Sequence, residues 1–153
     1  MTSSAASTFV YVTYIRTTQD QVWRALTDQD FIRKYWFGVT AESEWKTGSS
    51  WKLTLPDGRT ADTGEILECD APRRMAIKWR NEFMPELKAE GYGRCVFELE
   101  SVNGAVKLTV THSNPTPTSK TIAAVPGGWP RILSNLKSLL ETGELTFDEK
   151  PVV

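Results

Sequence analysis

The chain has one histidine and two cysteines, so few side chains are available for acid–base, nucleophilic or metal chemistry. His112 follows a segment in which Val106, Leu108 and Val110 alternate with polar residues, and this alternation places the imidazole on the inner face of a strand. A buried imidazole can act as a general base or orient a ligand. The alternative is a structural histidine bonded to a nearby backbone carbonyl. The sequence favours the structural role, because no serine or cysteine is spaced to pair with it.

Neither a metal centre nor a catalytic carboxylate pair is predicted. Cys69 and Cys95 lie far apart in the sequence, and with one histidine they cannot complete a zinc site of the usual kind. We expect both to be reduced, buried thiols of a cytoplasmic protein. Glu98 and Glu100 alternate along a strand, which is typical of a solvated sheet face rather than of a buried acid–base pair. We therefore predict no catalytic residue, no metal and no cofactor.

Aromatic residues are more informative, because six tryptophans are many for 153 residues, and each needs a core or a pocket to fill. Four of them fall at the end of a short helix, on inner strand positions or at the start of a long helix. With His112, the predicted ligand-contacting residues are Trp36, Phe37, Trp51, Trp79, Phe97 and Trp129. The alternative for each ring is packing in the core without any ligand contact.

Residues 126–143 carry the longest helical pattern, and this helix must supply one wall of any pocket. Its apolar stripe comprises Trp129, Ile132, Leu133, Leu136, Leu139 and Leu140. Arg131 and Asn135 fall on the other faces of the helix. Pro130 suits the first turn, and Gly143 suits a left-handed C-terminal cap. A stripe of this width needs a large apolar partner, which only the strand-rich segment before it offers.

The rest of the pattern is a strand, two short helices and a series of antiparallel strands, an α+β order. Predicted strands are 9–16, 39–45, 50–55, 60–69, 75–80, 92–101 and 106–112, with helices at 18–27 and 28–36. Adjacent Ile66 and Leu67 indicate a bulge, and Asn103-Gly104 indicates a hairpin. We expect a tail at 1–8, one domain at 9–143 and a second tail at 144–153.

Four segments carry a family resemblance when taken together. They are TYIRTTQDQVWRALTD (13–28), RKYWFG (33–38), EWKTGSSWKLTLPDG (44–58) and GEILECDAPRRMAIKW (64–79). The chain resembles the activator of heat-shock protein 90 ATPase homologue family, in the START-like (SRPBCC, Bet v 1-like) superfamily, over nearly its whole length. The resemblance implies the helix-grip fold: a curved seven-stranded antiparallel sheet around a long C-terminal helix, with two short helices between strands 1 and 2. It also implies a hydrophobic cavity between the sheet and the long helix.

Composition excludes several classes of partner. The formal net charge of −1 and the lack of a basic stripe argue against nucleic acid. No apolar run reaches about 18 residues, so no membrane span is predicted. The N-terminal sequence MTSSAAST lacks the features of a signal peptide, so we expect a cytoplasmic protein.

We expect a small-molecule binding protein of the START-like type, a monomer or homodimer, with a hydrophobic or aromatic ligand between the long helix and the sheet. One alternative is a co-chaperone-like interaction module with a chaperone partner. That module needs an exposed apolar patch, and the outward strand positions, largely Lys, Arg, Glu and Thr, do not offer one. The other is a cyclase- or hydrolase-type enzyme using His112. The lack of a nucleophile or a metal set favours binding over catalysis.

Overall fold

Seven antiparallel strands form one curved sheet in the order β1-β7-β6-β5-β4-β3-β2 in the computed structural model, which describes residues 6–148. The strands are β1 (Ser7–Ile15), β2 (Thr40–Ser43), β3 (Ser50–Thr54), β4 (Thr60–Asp70), β5 (Arg74–Asn81), β6 (Gly93–Val102) and β7 (Ala105–Asn114). The helices are α1 (Gln19–Thr27), α2 (Gln29–Tyr35), α3 (Pro85–Lys88), α4 (Lys120–Ala124) and α5 (Trp129–Thr142). The predicted α+β helix-grip fold is confirmed.

Local sequence signals account for most element boundaries. The Thr18 side chain caps α1, and the Asp28 carboxylate accepts the backbone N–H groups of the first turn of α2. Pro130 lies in the first turn of α5, and Gly143 ends that helix in the left-handed conformation with φ 81°. Asn103 and Gly104 both have positive φ in the β6–β7 hairpin, as that turn requires.

Some boundaries differ from the predicted ones. The first strand begins at Ser7 rather than at residue 9. The long helix begins at Trp129, because a 3₁₀ turn at Val125–Gly127 and the unpredicted short helix α4 precede it. The register shift between Ile66 and Glu68 confirms the predicted bulge in β4.

Helix α5 packs its apolar stripe against the sheet. Leu133 and Leu136 are buried in the core, whereas Leu139 and Leu140 are only partly buried. Asn135, expected on another face, is also buried. Its side chain bonds both backbone groups of Phe147, at 2.7 and 3.0 Å, and its Nδ2 donates to the Tyr35 carbonyl. A polar side chain with partners of this kind can be buried at little cost.

The outer surface differs from expectation at β1. Val10, Val12 and Tyr14 are 54%, 42% and 50% exposed, so an apolar row follows this edge strand where polar residues were expected. Of the two unpaired cysteines, Cys95 is buried as expected, whereas Cys69 is partly exposed.

None of the described helices is both long enough and apolar enough to cross a bilayer.

Candidate functional site

A cavity of about 410 Å³ lies between the N-terminal end of α5 and the sheet. Its walls come from the end of α2, from β3 to β5 with the segment after β5, from β7, and from the α4–α5 connection. Five of the predicted ligand-contacting residues line it: Trp36, Phe37, Trp79, His112 and Trp129. The volume falls within the range of roughly 300–1,000 Å³ that is usual for small-molecule pockets.

Trp51 and Phe97, the other two predicted residues, lie behind this wall. Both are buried, and neither borders the cavity. The ring centroid of Trp51 is 4.2 Å from that of Trp79, and the Phe97 centroid is 5.7 Å from that of Trp129. These two rings therefore support the lining residues from the core side.

Three indoles form a continuous aromatic wall. The Trp36 and Trp79 rings stack at 6.2 Å between centroids, and Trp129 meets both edge-on, at 5.3 and 5.7 Å. Stacked and edge-to-face arrangements at these distances are favourable for aromatic pairs. Because each ring touches the other two, the wall is held in place before any ligand enters.

A glycine explains why Trp51 and Trp79 can touch. Gly64 of β4 is paired with Trp51 on one side and with Trp79 on the other, so the two tryptophans flank it in the sheet. A Cβ atom at Gly64 would lie 1.6 Å from the carbonyl oxygen of Lys78, a distance that no side chain can adopt. Because glycine has no side chain, β4 can approach β5 closely at this position, and the two indoles come into contact.

His112 is 2% exposed, and its partner is not the backbone carbonyl expected from the sequence. The Trp129 Nε1–H donates to His112 Nδ1 at 3.1 Å. Burial lowers the pKa of His112 to about 4, so the imidazole is neutral at neutral pH. Since Nδ1 accepts a hydrogen bond, the ring proton is on Nε2.

Four polar residues of the lining were missed by sequence reasoning: Asp62, Asn81, Thr121 and Arg131. The Trp79 Nε1–H donates to Asp62 Oδ1 at 2.9 Å, which fixes the indole. The helical pattern puts Arg131 on a polar face of α5, but at the start of the helix that face borders the cavity. Arg131 borders the cavity because α4 and the 3₁₀ turn form a wall beside the start of α5, and no sequence signal predicts that wall.

Glu90 holds the α4 wall in place. Its carboxylate accepts hydrogen bonds from the Ser119 and Thr121 hydroxyls, each at 2.7 Å, and from the backbone N–H groups of Lys120 and Thr121. Desolvation opposes ionisation, but these hydrogen bonds outweigh it and lower the pKa of Glu90 to about 2. Thr121 and Ala124, on this anchored helix, line the cavity.

No group of three or more His, Cys, Asp or Glu residues within 6–148 is arranged to hold a metal ion. As the cavity is bordered mainly by aromatic and aliphatic side chains, the arrangement suits an apolar molecule with few polar groups.

Residues 16–141 match the family described as Activator of Hsp90 ATPase homolog 1-like protein. A comparison with curated proteins found no match. The structure is similar to that of CalU16 from Micromonospora echinospora, with a TM-score of 0.72, 20% identity, and coverage of 90% of this chain and 78% of that one. It is also similar to the Aha1 dimer from Colwellia psychrerythraea, with a TM-score of 0.72, 20% identity, and coverage of 90% and 98%. ChR145 from Cytophaga hutchinsonii shares 26% identity at a TM-score of 0.67, with coverage of 88% and 93%.

Proposed function

The chain belongs to the family of Activator of Hsp90 ATPase homolog 1-like proteins, and on that premise we propose that it binds a small hydrophobic or aromatic molecule between α5 and the sheet. The observation that carries the proposal is the cavity of about 410 Å³ with its wall of three touching indoles. Fixed apolar walls with a few polar groups are the usual form of a small-molecule site.

The position of the rings favours affinity. Trp79 and Trp129 are buried and packed on Trp51 and Phe97, so they lose little conformational freedom when a ligand binds. A planar ligand would replace water on the indole faces with aromatic contact. The site is therefore suited to flat, largely apolar compounds.

The geometry of His112 favours binding over catalysis. A histidine with a pKa of about 4 is a weak base at neutral pH, because proton transfer to it is uphill. Its Nδ1 already accepts the Trp129 N–H, and no serine or cysteine of the described chain bonds to it. These features support a ligand-orienting donor at Nε2.

A second candidate function, protein interaction, is favoured by the apolar row on β1. Val10, Val12 and Tyr14 are exposed on a strand that forms one edge of the sheet. Exposed apolar rows at a sheet edge are typical of association sites. If this row binds a partner or a second copy of the chain, Val12→Lys should weaken the association and leave small-molecule binding unchanged.

The test of ligand binding uses two neighbouring alanines of α4. Both are exposed, but Ala124 borders the cavity and Ala123 does not. We expect calorimetric titration with flat aromatic compounds to give binding below millimolar for the native chain. Ala124→Phe should weaken it at least about tenfold by filling part of the cavity, and Ala123→Phe should leave it unchanged. The proposal fails if no compound binds below millimolar, or if Ala124→Phe binds as the native chain does.

A further inference from the structure

Arg131 is an unusual lining residue, because part of its charged group is buried and unpaired. Its Nη1 atom is buried and has no hydrogen-bond partner in the described part of the chain. None of the ion pairs formed within residues 6–148 includes it. The residue lies in the first turn of α5 and borders the cavity.

A guanidinium keeps its charge at any ordinary pH, so burial cannot be relieved by loss of a proton. A buried charged donor without an acceptor is costly, and structures ordinarily pair such a group. Arg131 Nη1 therefore lacks an acceptor within residues 6–148, and the residue borders the cavity. A carboxylate or a similar oxyanion is the acceptor whose geometry fits a guanidinium best.

Two further features favour an acceptor near the start of α5. His112 also lines it, and its protonated Nε2 has no partner within residues 6–148, since the one hydrogen bond of the ring uses Nδ1. Helix α5 begins at this wall without a side-chain cap, so the positive end of its dipole faces the same region. Asp62 also lines the cavity, from β4, and its Oδ1 accepts the Trp79 N–H.

From this arrangement we infer that the ligand carries one anionic oxygen group, which Arg131 binds with His112 Nε2 as a second donor. The inference rests on the proposed function and deepens it. The ligand lies with its apolar ring against the indoles of Trp36, Trp79 and Trp129 and its carboxylate or similar oxyanion toward the start of α5. The site thus selects apolar acids over neutral compounds of the same shape.

The experiment compares naphthoate with its neutral amide, naphthamide, by calorimetric titration of the full chain at neutral pH. In the native chain we expect naphthoate to bind at least about tenfold more tightly, the usual contribution of a charge-assisted hydrogen bond. Arg131→Gln should remove this preference without weakening naphthamide, and Arg131→Lys should restore part of it. Arg33→Gln is the matched control: it removes the same charge from an exposed residue paired with Asp30, and should change neither affinity.

The other results of these titrations distinguish failure of the anion inference from failure of the proposed function. If both compounds bind the native chain equally, or if the preference survives in Arg131→Gln, the anion inference is overturned while the proposed binding function stands. If neither compound binds below millimolar while other flat aromatic compounds do, the anion inference alone is overturned, and if no flat aromatic compound binds, both are overturned. Circular dichroism of each variant establishes that a loss of binding is not a loss of fold.

Discussion

The indole N–H of Trp129 donates to His112 Nδ1 at 3.1 Å, which joins the first turn of α5 to the β7 strand. Both side chains are buried, so the bond satisfies a donor and an acceptor that would otherwise be costly inside the core. It also fixes the tautomer of the imidazole and the orientation of the indole. The cavity wall and the structural role of the only histidine thus depend on one interaction.

This pair predicts a pH dependence of stability. The pKa of His112 is about 4 in the folded chain and has an ordinary value of 6.5, so the unfolded chain binds more protons between these values. Lowering the pH from about 7 to about 5 should therefore reduce the free energy of unfolding by about 2 kcal/mol.

The control for this prediction is His112→Gln, whose amide can still accept the Trp129 N–H and which has no titrating group. Arg131 and Asp62, the charged groups that line the same cavity, are retained in the variant. Urea denaturation at several pH values measures both proteins, and the variant should show a flatter dependence. If the free energy of unfolding falls equally with pH in both proteins, His112 is not a buried neutral imidazole.

Leu136 is predicted to anchor α5 on the sheet. It is fully buried at the centre of the helix stripe, so Leu136→Ala should lower the free energy of unfolding by about 2–5 kcal/mol. The matched control is Leu67→Ala, at a position 39% exposed, which should change it by about 0.5 kcal/mol or less. A similarly small loss at Leu136 would show that the helix does not dock through this stripe.

Periodicity and strand parity predicted most of the fold and part of the site. The helical stripe through Leu136, the inner-face position of His112 and the hairpin at Asn103-Gly104 are local patterns, and the structure agrees with each. The pattern could not tell which inner-face ring borders the cavity. Trp51 and Trp79 both occupy inner-face positions of their strands. Only their packing across Gly64 places Trp79 at the cavity and Trp51 behind it.

The environment of two polar residues of α5 could not be predicted from helical periodicity. Asn135 and Arg131 both appear on the polar side of the helical pattern. The burial of Asn135 depends on the Phe147 backbone, which folds back from after the helix. Arg131 reaches the cavity because α4 and the turn after it form a wall beside the helix start. Neither contact follows from spacing along the chain.

Glu90 is predicted to stabilise the cavity wall through α4. Glu90→Gln replaces a carboxylate that accepts hydrogen bonds from Ser119, Lys120 and Thr121, and should cost about 1–2 kcal/mol at neutral pH. The folded-state pKa of about 2 lies below the ordinary 4.5, so this stabilisation is complete above pH 4.5. It should be lost as the pH falls toward 2.

Chemical denaturation across this range measures the effect of Glu90. The difference between the native chain and Glu90→Gln should shrink as the carboxylate takes up its proton. Glu86→Gln, at an exposed position on the neighbouring helix α3, is the control and should cost about 0.5 kcal/mol or less. A Glu90 effect that stays constant down to acid pH would mean that the negative charge is not what holds α4.

Adding a single methyl group at Gly64 is predicted to lower the stability of the fold strongly. A methyl group there would lie 1.6 Å from the Lys78 carbonyl oxygen, so Gly64→Ala must displace β4 from β5. The cost should be about 3 kcal/mol or more, the upper part of the range for overpacking. Gly127→Ala is the control, since a Cβ there meets nothing within 4 Å, and its effect should be neutral or slightly stabilising.

A second readout for Gly64→Ala follows from the indole pair. Trp51 and Trp79 lie 4.2 Å apart between centroids, close enough for their electronic transitions to couple in the near-ultraviolet circular dichroism spectrum. Separating the strands at Gly64 should weaken this signal even in a variant that stays folded, and it should disturb the wall on which a ligand would rest. If Gly64→Ala keeps both native stability and the native spectrum, the two tryptophans are not packed across this glycine.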